Sequence, residues 1–431
     1  MFRTHLFLIV FVLFVSCSGS SGLQNSYLSP DAQNDRGLLL VKNQLPAPSS
    51  FQSIQLYKKG NSNNPPIINL NTNDKLVLEF DELTSISGQF RITFEHFDQN
   101  WNPSNLPEAW FIDGFNEINV IGGEKNSLSK PSYFHYKTEF PNRDTKFLAS
   151  GNYMLHVFDY SSNKKLFSLP FFVTEQLGKI TSNIETVYNS GQNFSSIDQL
   201  FSVYQYPSEV EFPQFDLSFE FVQNRFWGNS TSTQTFDVTT PGSIRFYTPR
   251  DESFSSNFDF IPLDLTQFNI NIDKIENWQP EFTPPRIILK RDVLNFSASS
   301  TELYRSNFGK PSSDRDAAYA EVNFRFSANS LNSKNPNLYV AGDFNAWRIT
   351  ENSKLRYDKI QDVWTAKLLI KEGTYRYKYF RKSNSSTSAN GLPINDTSAT
   401  RTQEYISFVY YKDPIKNYQR LISYNLFRSI N

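Results

Sequence analysis

Short runs in which apolar and polar residues alternate one by one recur along most of this chain. Four clear examples cover residues 90–95, 134–140, 321–326 and 364–370, each with apolar and often aromatic side chains at every second position. A period of two is typical of a β-strand with one buried face, and no stretch has convincing helical periodicity over more than about two turns. Clusters of Gly, Pro, Asn and Ser separate the runs. The pattern predicts an all-β protein built from tandem immunoglobulin-like β-sandwich domains.

The chain has 431 residues, too many for one ordinary domain, and its turn clusters and polar stretches divide it into three. We expect β-sandwiches at residues 46–176, 177–312 and 313–431. Aromatic residues make up 16% of the chain, which is enough to fill several large cores. The net charge is −1, but residues 1–314 carry −9 and residues 315–431 carry +8, so the third domain is the basic one.

The first 45 residues differ from the rest and have the pattern of an export signal followed by a tether. Ten apolar residues, 6–15, fit the hydrophobic region of a signal peptide and are too few to span a bilayer. Cys17, the single cysteine of the chain, follows them in a Phe-Val-Ser-Cys sequence that resembles a bacterial lipobox. We expect a lipoprotein-type signal peptide at residues 1–16 and a lipidated Cys17 that begins a flexible tether, 17–45. The alternative is an ordinary signal peptide cleaved near Ser20.

Residues with catalytic or metal-binding chemistry are sparse. Three histidines follow the signal region, His96, His135 and His156, and none has the spacing of a metal-binding pair. The sequence contains no glycine-rich phosphate loop and no serine nucleophile elbow. The single cysteine also excludes a disulfide scaffold and a cysteine metal cluster, and the near-neutral charge fits a nucleic-acid-binding protein poorly. The sequence therefore predicts no enzymatic activity, no cofactor and no metal.

One motif in the third domain points to carbohydrate chemistry. Residues 337–347 end in Gly-Asp-Phe-Asn-Ala-Trp and, together with residues 363–368 and 372–380, resemble the early-set, glycogen-binding-like module of starch- and glycogen-binding proteins. The resemblance implies that Trp347 is a flat platform for a sugar ring, but the second platform tryptophan expected after residue 380 is missing. We therefore favour a structural role, in which Trp347 packs against the edge of the sandwich, and we expect no carbohydrate ligand.

A longer, ordered set of motifs covers nearly the whole exported chain. It comprises residues 95–104, 111–115, 140–142 and 150–153 in the first domain, 222–227 in the second, and 342–347, 409–413 and 420–424 in the third. In this order the motifs resemble the plug protein of the type IX secretion system of Bacteroidota-type bacteria. The resemblance implies a non-enzymatic periplasmic protein. It would close the periplasmic mouth of a large outer-membrane β-barrel translocon when no cargo engages it.

The plug resemblance has consequences for location and contacts. A lipidated Cys17 would anchor the protein in the periplasm, on the inner leaflet of the outer membrane. The basic residues that follow Trp347 are the expected contact with the translocon: Arg348, Lys354, Arg356 and Lys359. The alternative function is an envelope glycan-binding lipoprotein that uses Trp347, whereas an enzyme acting on envelope polysaccharide has no supporting residues. The sequence leaves open which surface touches the translocon and what displaces the plug.

Overall fold

The regular secondary structure of the described residues is almost all β, and its strands form three sandwiches. The structure, a computed structural model, describes residues 40–126, 129–188, 196–256, 258, 260–293, 307–308, 317–327, 337–382, 392–393 and 402–429. Within these ranges each helix is a single turn of three or four residues, and the expected all-β class is confirmed. The expected signal peptide, Cys17 and most of the tether lie outside the described residues.

The first sandwich follows the expected alternation closely. Its elements are β1 (Phe51–Lys58), β2 (Ile67–Asn69), β3 (Leu76–Glu82), β4 (Gln89–Phe97), α1 (Glu108–Phe111), β5 (Ile112–Gly114), β6 (Ile118–Ile121), β7 (Glu124–Asn126), β8 (Tyr133–Phe140), β9 (Thr145–Phe147), β10 (Gly151–Asp159) and β11 (Lys165–Thr174). One sheet has the order β1-β3-β8-β7 and the other β2-β11-β10-β4-β6. Phe90, Ile92 and Phe94 of β4 are buried in a core rich in phenylalanine from both sheets.

The remaining elements form a middle group, a long group and a final hairpin. The middle group is β12 (Lys179–Tyr188), β13 (Ser196–Gln205), α2 (Pro213–Asp216), β14 (Leu217–Gln223), β15 (Ser230–Thr233), β16 (Phe236–Thr240), β17 (Ser243–Tyr247) and β18 (Phe254–Ser255). The long group is β19 (Ile261–Asp264), β20 (Ile275–Gln279), β21 (Arg286–Leu289), β22 (Asp292–Val293), β23 (Asn307–Phe308), β24 (Tyr319–Ser327), β25 (Leu338–Gly342), β26 (Arg356–Asp358), β27 (Val363–Lys371), β28 (Gly373–Arg381) and β29 (Leu392–Pro393). The hairpin is β30 (Glu404–Asp413) and β31 (Tyr418–Arg428).

The C-terminal hairpin, β30 and β31, belongs to the second sandwich, although it follows the third in the sequence. One sheet of that sandwich has the order β12-β13-β17-β16, with β18 on β13, and the other has the order β15-β14-β30-β31. The third sandwich is made of the long group alone: β19, β23, β25 and β29 join β28 in one sheet, and the other has the order β20-β21-β24-β27-β26, with β22 on β24. The third sandwich is therefore inserted into the second.

This pairing corrects the domain boundaries expected at 177–312 and 313–431. Residues 261–293 were expected in the second sandwich, but β19 pairs with β28 and β21 with β24, both in the third. Residues 404–428 were expected in the third sandwich, but β14 pairs with β30 along its whole length, with Phe219 opposite Val409. The physical reason is that local alternation identifies a strand and its buried face but not a partner far away in the sequence.

The two ends of the insertion lie side by side. The side-chain amide of Gln403, just before β30, donates hydrogen bonds to the backbone carbonyls of Ser256 (3.3 Å) and Phe258 (2.9 Å), just after β18. Gln223 of β14 also donates to the carbonyl of Ser255. Closely spaced ends are what allow one domain to be inserted into another without disturbing the host.

The three sandwiches pack against one another and do not form an extended string. Between the first and second, Phe172 of β11 stacks on Phe408 of β30 with ring centroids 4.6 Å apart, and Trp101 and Trp227 pack on the same Phe172 ring. The Arg420 guanidinium of β31 spans the same junction to the carboxylate of Glu175 at 2.5 Å. Aromatic rings and charge-assisted hydrogen bonds of this kind fix the relative position of two domains.

The discontinuous second sandwich generates a prediction about deletions. Replacing residues 260–401 with a short Gly-Ser linker should leave the first and second sandwiches folded, because the linker joins chain ends that already touch. Ending the chain after residue 401 should instead unfold the second sandwich, because β14 then loses its β30 partner. Limited proteolysis and thermal unfolding of both variants measure this. A chain ending at 401 that keeps a protease-resistant second sandwich would contradict the pairing.

Candidate interaction surfaces

The three histidines that the structure describes, His96, His135 and His156, are structural groups and do not converge on a site. His96 contacts a serine hydroxyl and a backbone carbonyl, and burial lowers its pKa to about 4, so the ring is neutral. His135 hydrogen-bonds to Asp81 at 2.8 Å, and His156 to Glu95 at 3.0 Å. Among the described residues, no group of three or more His, Cys, Asp or Glu is placed to hold a metal ion. No helix in the same ranges is long and apolar enough to cross a membrane.

Trp347 is held in a tight turn at the end of β25. A 3₁₀ turn, Asp343–Asn345, follows the strand, and Ala346 and Trp347 then take left-handed backbone conformations with φ of 53° and 57°. The Trp347 amide donates to the Gly342 carbonyl, and its indole Nε1 donates to the Asp343 carboxylate at 2.9 Å. These bonds aim the indole inward, and only 1% of the residue is exposed.

The buried indole joins the second sandwich to the third. Its neighbours include Phe226, which follows β14 of the second sandwich, and Phe260, which leads into the third, with ring centroids 5.1 and 5.4 Å away in edge-on geometry. The guanidinium of Arg376 lies 5.9 Å from the indole and pairs with Asp343 at 2.9 Å. A sugar ring stacks only on an open aromatic face. Trp347 could therefore bind a sugar only if the second and third sandwiches separated.

A buried polar cluster joins the first sandwich to the third. Asp81 of β3 is fully buried, and its carboxylate lies 2.8 Å from the Lys371 ammonium of β27 and accepts a 2.8 Å hydrogen bond from the Tyr319 hydroxyl of β24. His135 contacts the other carboxylate oxygen, and the Lys371 ammonium also lies 4.8 Å from the ring centre of Tyr133. Removing one partner of such a pair by mutation would leave an uncompensated buried charge, so both partners are needed in the docked arrangement.

Beside this cluster, where the Ser53 hydroxyl of β1 lies 2.8 Å from the Tyr319 hydroxyl of β24, the first and third sandwiches enclose a cleft of about 1270 Å³. One wall consists of β1 and the segment before it, residues 46–49 and 51–57, together with part of β11. The other wall consists of the turn around residue 345, a second 3₁₀ turn, Glu351–Ser353, and residues 365–369 of β27. The volume exceeds the roughly 300–1,000 Å³ of ordinary small-molecule pockets.

Three of the four basic residues predicted from the sequence meet in this cleft. Arg348, Lys354 and Arg356 line it, whereas Lys359 is exposed and is not part of its wall. The opposite wall, β1, was not predicted as part of any site, because its side chains are uncharged between Phe51 and Tyr57 and gave no charge signal. The expected lipidation at Cys17 lies outside the described residues and stays a prediction.

A second buried carboxyl group lies at the junction of the first and second sandwiches. Glu220 of β14 is 4% exposed, and its Oε2 atom lies 3.2 Å from the Tyr410 hydroxyl, which in turn contacts Asn152 of the first sandwich at 2.8 Å. Burial raises the pKa of Glu220 to about 7, although hydrogen bonds from Ser230 and Tyr410 oppose the shift. This group therefore titrates within the physiological range.

Comparisons with known proteins point in the direction that the sequence motifs suggested. Residues 51–175, which are the first sandwich, match the family model described as the type 9 secretion system plug protein 1st domain. The match covers less than half of the chain and supports a plug-type protein with a role in type IX secretion. The comparison with curated proteins found no match.

A solved structure shares the fold over almost the whole chain. The crystal structure of a hypothetical protein from Parabacteroides merdae ATCC 43184 superposes with a TM-score of 0.79 at 20% identity, covering 90% of this chain and 99% of that one. At this identity the likeness supports the three-sandwich fold alone. A match to Pseudomonas fluorescens alkylpurine DNA glycosylase AlkC bound to abasic-site DNA, at 12% identity, covers 29% of this chain and 30% of that one. Its TM-score is 0.18, and it carries no structural argument.

The burial of Trp347 predicts a structural effect of its removal. Trp347→Ala should lower the free energy of unfolding by about 3–5 kcal/mol, the cost of deleting a buried aromatic side chain. Trp364→Ala, at a half-buried position of the same sandwich, should cost less. A double-mutant cycle with Phe226→Ala should give a coupling of about 0.5–3 kcal/mol. The contrary result is a calorimetric affinity for maltoheptaose that Trp347→Ala abolishes.

The raised pKa of Glu220 predicts a pH dependence of stability. The native state binds a proton at a higher pH than the unfolded chain does, so the free energy of unfolding should fall as pH rises from about 4.5 to 7. The loss should be at most roughly 3 kcal/mol. Glu220→Gln should flatten this slope in chemical denaturation series at several pH values, while Glu351→Gln, an exposed control, should not. A slope unchanged by Glu220→Gln would show that Glu220 is not the titrating group.

Proposed function

We propose that this protein is a non-enzymatic plug that closes the periplasmic mouth of the type IX secretion translocon while no cargo engages it. The observation that carries the proposal is the match of the first sandwich, residues 51–175, to the plug-protein first domain. The ordered motifs in the second and third sandwiches extend the same resemblance beyond the matched residues. The proposal therefore concerns the whole three-sandwich body.

The packing of the three sandwiches suits the mechanical task of a stopper. A pore wide enough for folded cargo cannot exclude small solutes by its own walls, so a rigid body must block it. Each pair of sandwiches here has a buried junction: Phe172 on Phe408, Trp347 on Phe226, and Lys371 with Asp81. Three junctions among three bodies oppose hinge motion at any one of them, and a body so joined resists deformation in the pore.

The proposed location is the periplasmic side of the outer membrane. A lipidated Cys17 would hold the chain on the inner leaflet, and the expected tether before residue 40 would let the folded body reach the translocon. The last residues of the expected tether, 40–45, pack on the body instead: Val41 is 2% exposed, and the Gln44 side chain donates to the Ser168 carbonyl. Residue 40, where the described chain begins, lies beside the cleft between the first and third sandwiches.

The proposed contact with the translocon is the basic surface of the third sandwich, formed by Arg348, Lys354, Arg356 and Lys359. Opposite charges across an interface speed capture and are sensitive to salt, which suits a plug that must hold and also be displaced. The glycan-binding alternative has no observation in its favour, because the Trp347 indole is buried between two domains.

The direct test of function is a deletion strain. Loss of the plug should raise the permeability of the outer membrane to large antibiotics, because the translocon then stays open, while export of cargo largely continues. The measurements are antibiotic sensitivity and the amount of exported cargo in the same cells. Unchanged permeability in the deletion strain, together with no translocon in a pull-down from solubilised outer membranes, would refute the plug function.

The contact surface has its own test. Reversing Arg348, Lys354, Arg356 and Lys359 together to Glu should reduce co-purification with the translocon and make the remainder more sensitive to salt. The matched control reverses four exposed cations of the first sandwich: Lys125, Arg143, Lys146 and Lys164. If only the control weakens co-purification, the contact lies on the first sandwich, where Trp110 and Phe115 are 62% and 72% exposed.

A further inference from the structure

We infer that the cleft between the first and third sandwiches binds an extended, acidic segment of a partner protein, which adds to the free edge of β1 as an extra strand. The inference deepens the proposed function and rests on it for where the partner is found. The inference itself depends on the strand edges and the charge of the cleft.

The wall formed by β1 offers a strand edge. Among the described strands, β1 pairs with β3 alone, so its other edge is free of a strand partner. Seven consecutive residues of β1, from Phe51 to Tyr57, line the cleft. The register with β3 shifts between Gln52 and Gln55, where Ser53 has a φ of 51°, so the regular part of this run begins at Gln55. Successive side chains of a regular strand point to opposite faces, so Gln55, Leu56 and Tyr57 line the cleft along the strand's edge.

The hydrogen-bond register indicates which backbone groups of β1 face the cleft. The amide of Lys59, next to β1, donates to Lys75 beside β3, and hydrogen-bonded residue pairs alternate along an antiparallel ladder. The amides of Gln55 and Tyr57 therefore point toward β3, and the amide of Leu56 points away from it. The Leu56 side chain packs on the core of the first sandwich. Its backbone N–H and C=O, which point away from β3, face the cleft and can pair with an added strand.

The facing wall of the cleft also contains strand edge. Residues 365–369 of β27 line it consecutively. β26 covers only the first part of that edge, from Val363 to Thr365, while β24 occupies the opposite edge of β27. A ligand in the cleft thus meets backbone edges on both sides, which favours an extended peptide over a compact small molecule.

The charge of the cleft selects an acidic ligand. The β1 wall is uncharged, whereas Arg348, Lys354, Arg356 and Lys367 line the opposite wall. The acidic residues there are Asp343, which is neutralised by Arg376 at 2.9 Å, and Glu351, which lies 3.7 Å from Lys354. Lys367 in turn lies 3.6 Å from Glu321, so Arg356, which is exposed, supplies the positive charge that carboxylates on the incoming strand would meet.

A second copy of this chain fits the cleft less well than a partner strand does. The free β1 edge of another copy would be the natural candidate for edge-to-edge pairing. However, Phe51–Lys58 carries no Asp or Glu and one Lys, so it offers nothing to the cationic wall. An acidic strand from another protein could both hydrogen-bond to the edge of β1 and pair with the basic residues of the opposite wall.

The probe for a binding test is a labelled peptide of about ten residues, the upper end of ordinary strand length, in which Val or Thr alternates with Glu. One comparator has Lys in place of Glu, and another has Pro in place of every Val. The acidic peptide should bind the full exported chain at least about tenfold more tightly than the Lys peptide at low salt. The Pro peptide, which lacks the alternate amides, should not bind measurably.

Two matched pairs of variants separate the contributions of edge and charge. Leu56→Pro removes the amide facing the cleft, and Leu56→Ala loses the same core contact but keeps that amide; the Pro variant should bind about tenfold more weakly than the Ala variant. Arg356→Glu, in the cleft wall, should weaken binding by a similar factor, while Lys359→Glu, outside it, should not. Thermal unfolding checks that each variant is folded. If Leu56→Pro does not fold, binding of the Pro peptide to the unmodified chain tests whether backbone pairing with β1 is needed.

The outcomes distinguish this inference from the plug function. Equal binding of the Glu and Lys peptides, or of the Glu and Pro peptides, overturns strand addition, whether or not the protein co-purifies with the translocon. Binding with the expected preferences supports the cleft, even if the deletion strain has normal permeability. In that case the plug function fails while the peptide site stands.

Discussion

The fold depends above all on β30, which is bound at both edges and on both faces. Its edges pair with β14 and β31. On one face, Tyr405 and Val409 complete the core of the second sandwich, and on the other, Ile406 and Phe408 form the junction with the first. One strand from the C-terminus therefore closes a domain and docks it on its neighbour. The second sandwich cannot be completed until this strand arrives, and it cannot leave the first without exposing an aromatic face.

The class of the fold was predictable from the sequence, whereas the assembly of its domains was not. Alternation at residues 90–95 identified β4 and its buried face, because a period of two is a local property. The pairing of Glu220 with Phe408 joins residues far apart in the chain, which no local pattern encodes. Residues 405–411 are apolar or aromatic except for Ser407, and this is typical of a strand buried on both faces. That signal could have revealed the special place of β30.

The candidate surfaces were also predictable only in part. Charge clustering after Trp347 identified three residues of the cleft. β1 contributes only backbone hydrogen-bonding groups, and no pattern of side chains in the sequence indicates that these face a cleft. Trp347 was expected at the edge of its own sandwich, whereas its ring partner Phe226 belongs to another domain. The resulting body is tightly joined at three buried junctions and open at the cleft between the first and third sandwiches. The proposed rigid stopper and the proposed peptide cleft are compatible because the Lys371–Asp81 cluster joins the two sandwiches beside that cleft.

The central claim is that the body closes a pore from one side, and electrical recording of the purified translocon in a planar bilayer tests it most directly. Translocons purified from a strain lacking the plug should conduct as large open pores. Adding the purified protein to the periplasmic side alone should close them, and raising the salt concentration should reopen them. Conductance that does not change after addition to either side would contradict the account, as would equal closure from both sides.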